Sequence, residues 1–247
     1  MKNTGNILIC IFILTGMLTV LSPGCKKDSN SGSSGGNSTA IFNPALTYGT
    51  MTDQDGNKCK TIQIGTQVWM AENLKVTTYR NGDPIGSSTP STLSISGEIN
   101  PKYQWPGMND ENQVASYGRL YTWYAVTDSR NIAPAGWHVA SSAEWTTLRD
   151  YLGGETLAGG KLKETATTHW LSPNFGATNE SGFTALPSGL RDPGGFFYTN
   201  GQSAIWWTST EKTDSNGWYA YTDAVTSTLL LSNSNKSVGY AVRCIKD

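Results

Sequence analysis

The chain has 247 residues and a formal net charge of −1, from 18 Lys and Arg against 19 Asp and Glu. That balance excludes a binder that neutralises nucleic-acid phosphates, which needs a basic surplus. Charged residues make up only 15% while hydrophobic ones reach 37%, so disorder does not explain the low charge. With 27 Gly, nine Trp and eleven Tyr, the composition suits a strand-and-loop domain better than a helical bundle.

Residues 7–21 are almost continuously apolar and follow Lys2. The stretch is short of the about 20 residues that span a bilayer and has the form of a secretory signal core. Ser22-Pro23-Gly24-Cys25 then places a small residue directly before a Cys, which resembles a bacterial lipoprotein cleavage site, with Leu21 one place further from the Cys than the usual pattern. The alternative is an ordinary signal peptide with an incidental Cys. On the lipoprotein reading residues 1–24 are removed and Cys25 carries lipid, each buried methylene contributing about 0.8 kcal/mol and more than one chain giving stable anchoring. Residues 25–44 read as a tether, because residues 29–39 contain only Ser, Asn, Gly and Thr and have nothing to bury. The domain then occupies residues 45–247. The expected location is the cell envelope, at the outer membrane, with the membrane as a partner through the anchor and no nucleic acid.

Of the four Cys, Cys10 falls in the leader and Cys25 at the anchor, so only Cys59 and Cys244 can pair within the mature domain. Export permits a disulfide between them; two buried free thiols are the alternative. The lack of a Cys-x-x-Cys and the presence of only two His argue against a structural zinc site.

Asp53, Asp55 and Asn57 alternate in a turn ahead of two short strand-like runs, 59–65 and 66–70, whose Gly-containing connection predicts a hairpin. The same alternation suits a calcium loop, but the position that needs a final acidic ligand is Ile64. Residues 80–116 are irregular. Within them Asn109, Asp110 and Glu111, with Asn112, form a dense group of oxygen ligands: either a hard-cation site, with calcium as the candidate, or a solvated turn entering the next helix. Leu120, Trp123, Tyr124 and Val126 predict a helix over 117–127. Ser141 and Glu144 form a capping box ahead of Trp145, Leu148 and Leu152, and Gly153-Gly154 ends that helix. A short helix over 157–162 follows. Apolar runs at 183–186, 196–198, 205–210, 218–221, 228–231 and 238–245 read as hairpin-connected strands. The fold class is α+β, mostly antiparallel strands with two or three short helices and long loops.

Several segments together resemble the Fibrobacter succinogenes major paralogous domain. They include Asp55-Gly-Asn57, Trp69-Met-Ala-Glu-Asn-Leu74, Tyr117-Gly-Arg-Leu-Tyr-Thr-Trp-Tyr-Ala125, Gly136-Trp-His-Val139 and Glu144-Trp145. Tyr151-Leu-Gly-Gly154, Gly160-Lys-Leu-Lys-Glu164, His169-Trp170, residues 179–187, Trp206-Trp-Thr-Ser-Thr210 and Val242-Arg-Cys-Ile-Lys-Asp247 continue the series in order, from about residue 50 to the end. The resemblance implies an exported, often lipid-anchored envelope protein and no common activity. A weaker one, carried by residues 138–145 and 239–244, is to the C-type-lectin-like fold, including the formylglycine-generating enzyme group. It implies that the two chain ends pair side by side, which brings Cys59 and Cys244 towards each other. The chain departs from that enzyme in having no neighbouring cysteines, and from the lectins in lacking their Glu-Pro-Asn or Gln-Pro-Asp tripeptides.

Within residues 45–247 no Gly-x-Ser-x-Gly turn and no phosphate-cradling Gly loop occur, and His138 and His169 read as structural or incidental beside Trp137 and Trp170. The expected role is non-catalytic binding or adhesion, with a glycan or an envelope protein as partner; a glycan-active enzyme and a structural component are the alternatives. Trp105, Trp170, Trp206, Trp207 and Trp218 are open to ring stacking on a sugar, whereas Trp69, Trp123, Trp137 and Trp145 are expected in the core. Trp105, Tyr198 and Trp218 are the leading ligand-binding candidates, with Asn109, Asp110 and Glu111 beside them.

Overall fold

The structure, a computed structural model, describes residues 38–106 and 110–247. The leader, Cys25, residues 25–37 of the expected tether and Asn109 lie outside the described residues. The fold is α+β, mostly antiparallel sheet with a few short helices.

The predicted hairpin forms. Strands β1 (Gly49–Thr52), β2 (Lys58–Ile64) and β3 (Gln67–Met70) run antiparallel, and Ile64 faces Gln67 across a two-residue loop. Gly65 takes the left-handed conformation there, φ 62°, which a side chain disfavours. The turn before β2 is built by Asp53, whose carboxylate accepts from the amides of Asp55 and Asn57. Asp55 is held in turn by Thr77 and Thr78. Two small elements follow, β4 (Gly86–Ser87) and β5 (Lys102–Gln104), then a 3-10 turn (Glu111–Gln113), helix α1 (Val114–Tyr117), β6 (Leu120–Tyr121), α2 (Trp123–Val126) and β7 (Trp137–Val139). The continuous helix expected over 117–127 is therefore absent. Gly118, at φ 73°, ends α1, and Leu120 and Tyr121 then pair with β5. Leu120, Trp123 and Val126, spaced for a helix, are buried by a strand and a single turn instead, and Tyr124 is left half-buried.

Helices α3 (Ser142–Tyr151) and α4 (Glu155–Leu162) form as predicted, and Ser141 and Glu144 make the reciprocal capping box. The remaining strands are β8 (Leu190–Arg191), β9 (Phe197–Tyr198), β10 (Ser203–Glu211), β11 (Asn216–Asp223), β12 (Leu230–Asn235) and β13 (Cys244–Lys246). The principal sheet has the order β1-β2-β3-β13-β7, and a second antiparallel sheet is β10-β11-β12. Residues 183–186 are not a strand. Thr184 lies at φ 54°, pinned by the Asn179 side chain, and the Phe183 and Thr184 carbonyls turn towards the Arg243 guanidinium. Of 238–245 only the end joins a ladder; Tyr240 and Ala241 bridge singly to Tyr121 and Trp206.

Alternation along β10 sends Trp206 and Trp207 to opposite sides, yet both are fully buried, because the sheet is covered on both faces. Trp206 stacks on Trp145 at 5.1 Å, with Trp69 and Phe183 around them; Trp207 meets Tyr240 at 4.6 Å on the other face. Trp170 is buried too, so none of these three is free for a surface ligand. Cys59 and Cys244 are free and buried in one core, not bridged. Strand β3 lies between β2 and β13, and two strand spacings of about 4.8 Å exceed the about 7 Å limit on Cα separation for a disulfide.

Candidate functional site

Residues 110–119 carry two clusters of polar and aromatic side chains on their two flanks. Asp110 caps the 3-10 turn, accepting from the Asn112 amide at 2.9 Å, which helps hold its carboxyl below the usual range. Gly118 closes α1 directly against the body: a Cβ there would stand 2.5 Å from the Asn73 Cβ. This close approach delivers Arg119 to its place.

On the first flank the buried Arg119 donates from Nε to the Lys75 carbonyl at 3.0 Å and grips Glu111 with both terminal nitrogens, at 2.7 and 3.2 Å. Its guanidinium lies 4.9 Å from the Tyr103 ring centre and 5.8 Å from that of Trp105, within reach for cation–π attraction. Tyr103 is set by β5, and Trp105 meets it edge-on at 5.8 Å. Both rings are half-buried. The result is an aromatic corner beside a planar ion pair whose carboxylate is open to solvent.

On the second flank lie Ser116, which is buried, and the half-buried Tyr117. The Ser116 Oγ accepts from the Thr39 amide at 2.9 Å and is 2.7 Å from the Thr39 hydroxyl. That hydroxyl is 2.8 Å from His169 Nε2, and His169 Nδ1 is 2.7 Å from the fully buried Glu164. The Tyr117 ring stands edge-on to the imidazole at 5.6 Å. A hydroxyl, an imidazole and a carboxylate in this order have the connectivity by which a base is oriented towards a nucleophile. Here the same atoms fasten residues 38–41, since the Ile41 amide donates to Glu164 as well.

The sequence candidates are dispersed. Trp105, Asp110 and Glu111 belong to the first flank. Tyr198 is on β9, about half exposed, and Trp218 is on β11, half-buried beneath the Lys212 ammonium at 4.7 Å. The three aromatic candidates sit with three different sheets, and no ring pairing joins them, so they do not form one platform. Asp110 and Glu111 are already occupied by Asn112 and Arg119, and no cluster of three or more metal-ligating side chains occurs among the described residues. Arg119 was hidden inside the expected helix, Thr39 inside the expected tether, and His169 beside a core Trp. His138 lies on β7 but not in the core: Trp137 and Val139 point inward, and His138 sits between Asp247 and Glu144 at the surface.

No helix among the described residues is long and apolar enough to cross a membrane. No curated protein and no solved structure matches the chain. The Fibrobacter succinogenes major domain matches residues 62–246, from within β2 to the last residue of β13 and so across both flanks of the site from Tyr103 onward, and the chain belongs to that family.

Proposed function

We propose that the protein is an exported envelope lipoprotein, anchored through Cys25, whose domain is a non-catalytic carbohydrate-binding module with a C-type-lectin-like arrangement. The observation that carries the binding role is the Tyr103–Trp105 corner beside the Arg119–Glu111 pair. An aromatic face offers stacking to the apolar side of a sugar ring, and a rigid planar ion pair offers directed donors and acceptors to its hydroxyls. The arrangement is supported by the closing strand β13, which pairs with β3 of the opening hairpin.

The test is a glycan array probed with the full chain and with Trp105→Ala, in calcium and in chelator. Binding that is unchanged by chelator and falls at least about tenfold in the variant is expected, since a tenfold loss is about 1.4 kcal/mol, the scale of one aromatic stacking contact. No wild-type signal, or a signal indifferent to Trp105, overturns the reading. Anchoring is checked by metabolic labelling with palmitate, which Cys25→Ser abolishes.

A further inference from the structure

Residues 38–41 meet the body in an unusual way: the guest is exposed and its hosts are buried. Thr39 is exposed and Ile41 is 43% exposed, whereas the Glu164 side chain is 0% and that of His169 6% exposed. Among the described residues the Glu164 carboxylate has two partners, the His169 ring and the Ile41 amide. A buried carboxylate is stable only with such partners. If residues 38–41 lift away, the carboxylate, the imidazole and the Ser116 hydroxyl are left facing the vacated space. The apolar anchoring of the segment begins later, where Phe42, Leu46 and Tyr48 pack on the core. Residues 38–41 can therefore leave without uncovering that core.

The vacated groups have a definite chemistry. A carboxylate, an imidazole and a hydroxyl, walled by the Tyr117 ring, offer acceptors and donors to adjacent hydroxyls and an aromatic edge to the ring that bears them. The segment already engages all three: the Thr39 amide donates to Ser116, the Thr39 hydroxyl is shared between Ser116 and His169, and the Ile41 amide donates to Glu164. We propose that Ser116, His169 and Glu164 form a hydroxyl-reading subsite for carbohydrate that Thr39 and the Ile41 amide of the chain's own N-terminal segment fill, so that segment and ligand exclude one another. This rests on the carbohydrate reading above and extends it to the second flank of residues 110–119.

The test applies the same glycan array to full-length wild type and to Thr39→Gly, Ser116→Ala and the double variant, with near-ultraviolet circular dichroism confirming that each is folded. Thr39→Gly removes an exposed side chain and is expected to tighten glycan binding about five- to tenfold, the effect of one to two neutral hydrogen bonds. Ser116→Ala is expected to weaken binding and to cancel that gain in the double variant. A second measurement needs no ligand: amide exchange across residues 38–42 is expected to accelerate in both single variants. Glycan binding that is equal in all four proteins overturns the subsite and leaves the Trp105 reading standing. Binding by none of them overturns both.

Discussion

Three cationic side chains show how individual residues are used against the usual expectation for charge. Arg243 is fully buried without a carboxylate; it donates to the carbonyls of Met70, Phe183 and Thr184 and to the Asn73 side chain. Burial draws its pKa down to about 9. Lys163 is buried likewise, with its ammonium on the carbonyls of Phe175, Asp223 and Thr226 at 2.7–2.8 Å, and burial draws it down to about 8 against the pull of Asp223. Such residues cross-link irregular chain that has no sheet ladder to satisfy its carbonyls. Arg243→Met is expected to lose about 4 kcal/mol in urea unfolding, because four buried acceptors lose a donor at about 1 kcal/mol each. His138 is the pH-sensitive residue. Partial burial lowers its pKa, but its bonds to Asp247 and Glu144 outweigh that and the net value is raised above 6.5. The folded state thus holds the proton more tightly than the unfolded one. That stabilisation is complete below the unfolded pKa and is lost as pH rises through the folded one. The urea midpoint is expected to fall as pH rises from the ordinary imidazole range through the raised folded value, and His138→Gln is expected to remove that part of the fall.

At the scale of elements, local and long-range forces can be separated. Helix α3 is locally specified: Ser141 accepts from the Glu144 amide at 3.3 Å, while Glu144 accepts from the Ser141 amide at 2.7 Å. Ser141→Ala is expected to lose about 1 kcal/mol in urea unfolding and Ser141→Asp to retain most of it. Helix α4 is the opposite case. Its Gly159 and Gly160 weaken an isolated helix, yet a Cβ would stand 2.0 Å from the Thr228 carbonyl oxygen and 2.3 Å from that of Gly176. The nearest atom in each case is backbone, and at Gly159 the Thr222 hydroxyl stands 2.4 Å away as well. Gly159→Ala would gain about 1 kcal/mol of helix propensity in isolation. In the folded protein it is expected to lose about 2 kcal/mol net, by overpacking, in the same unfolding measurement.

For the whole molecule, the order of the principal sheet settles the cysteines. With β3 between them, Cys59 and Cys244 stay thiols, and burial pushes Cys59 up to about 12 and Cys244 higher still. Both are expected to resist iodoacetamide in the native protein and to alkylate fully after denaturation without reductant. A mass-mapped Cys59–Cys244 bridge would contradict this. The same distinction marks how much of the candidate site was legible. Trp105 stood out as an aromatic in an irregular segment, and Asp110 and Glu111 as a turn entering a helix. Arg119 did not, because its value lies in Tyr103, Trp105 and Glu111 arriving around it, and Thr39 did not, because a polar residue in a Ser- and Gly-rich stretch carries no sign of what it will touch. By itself the sequence determined the hairpin, the capped helix, four core Trp and the family, all of which depend on residues close together or on composition. Only the tertiary structure decided that Trp206 and Trp207 are both buried, that residues 117–127 break into a turn and a strand, and that Glu164 and His169 hold Thr39. Periodicity reports which side of a segment is apolar; whether a second layer covers its other side, and which distant donor reaches a given acceptor, is set by how the whole chain packs.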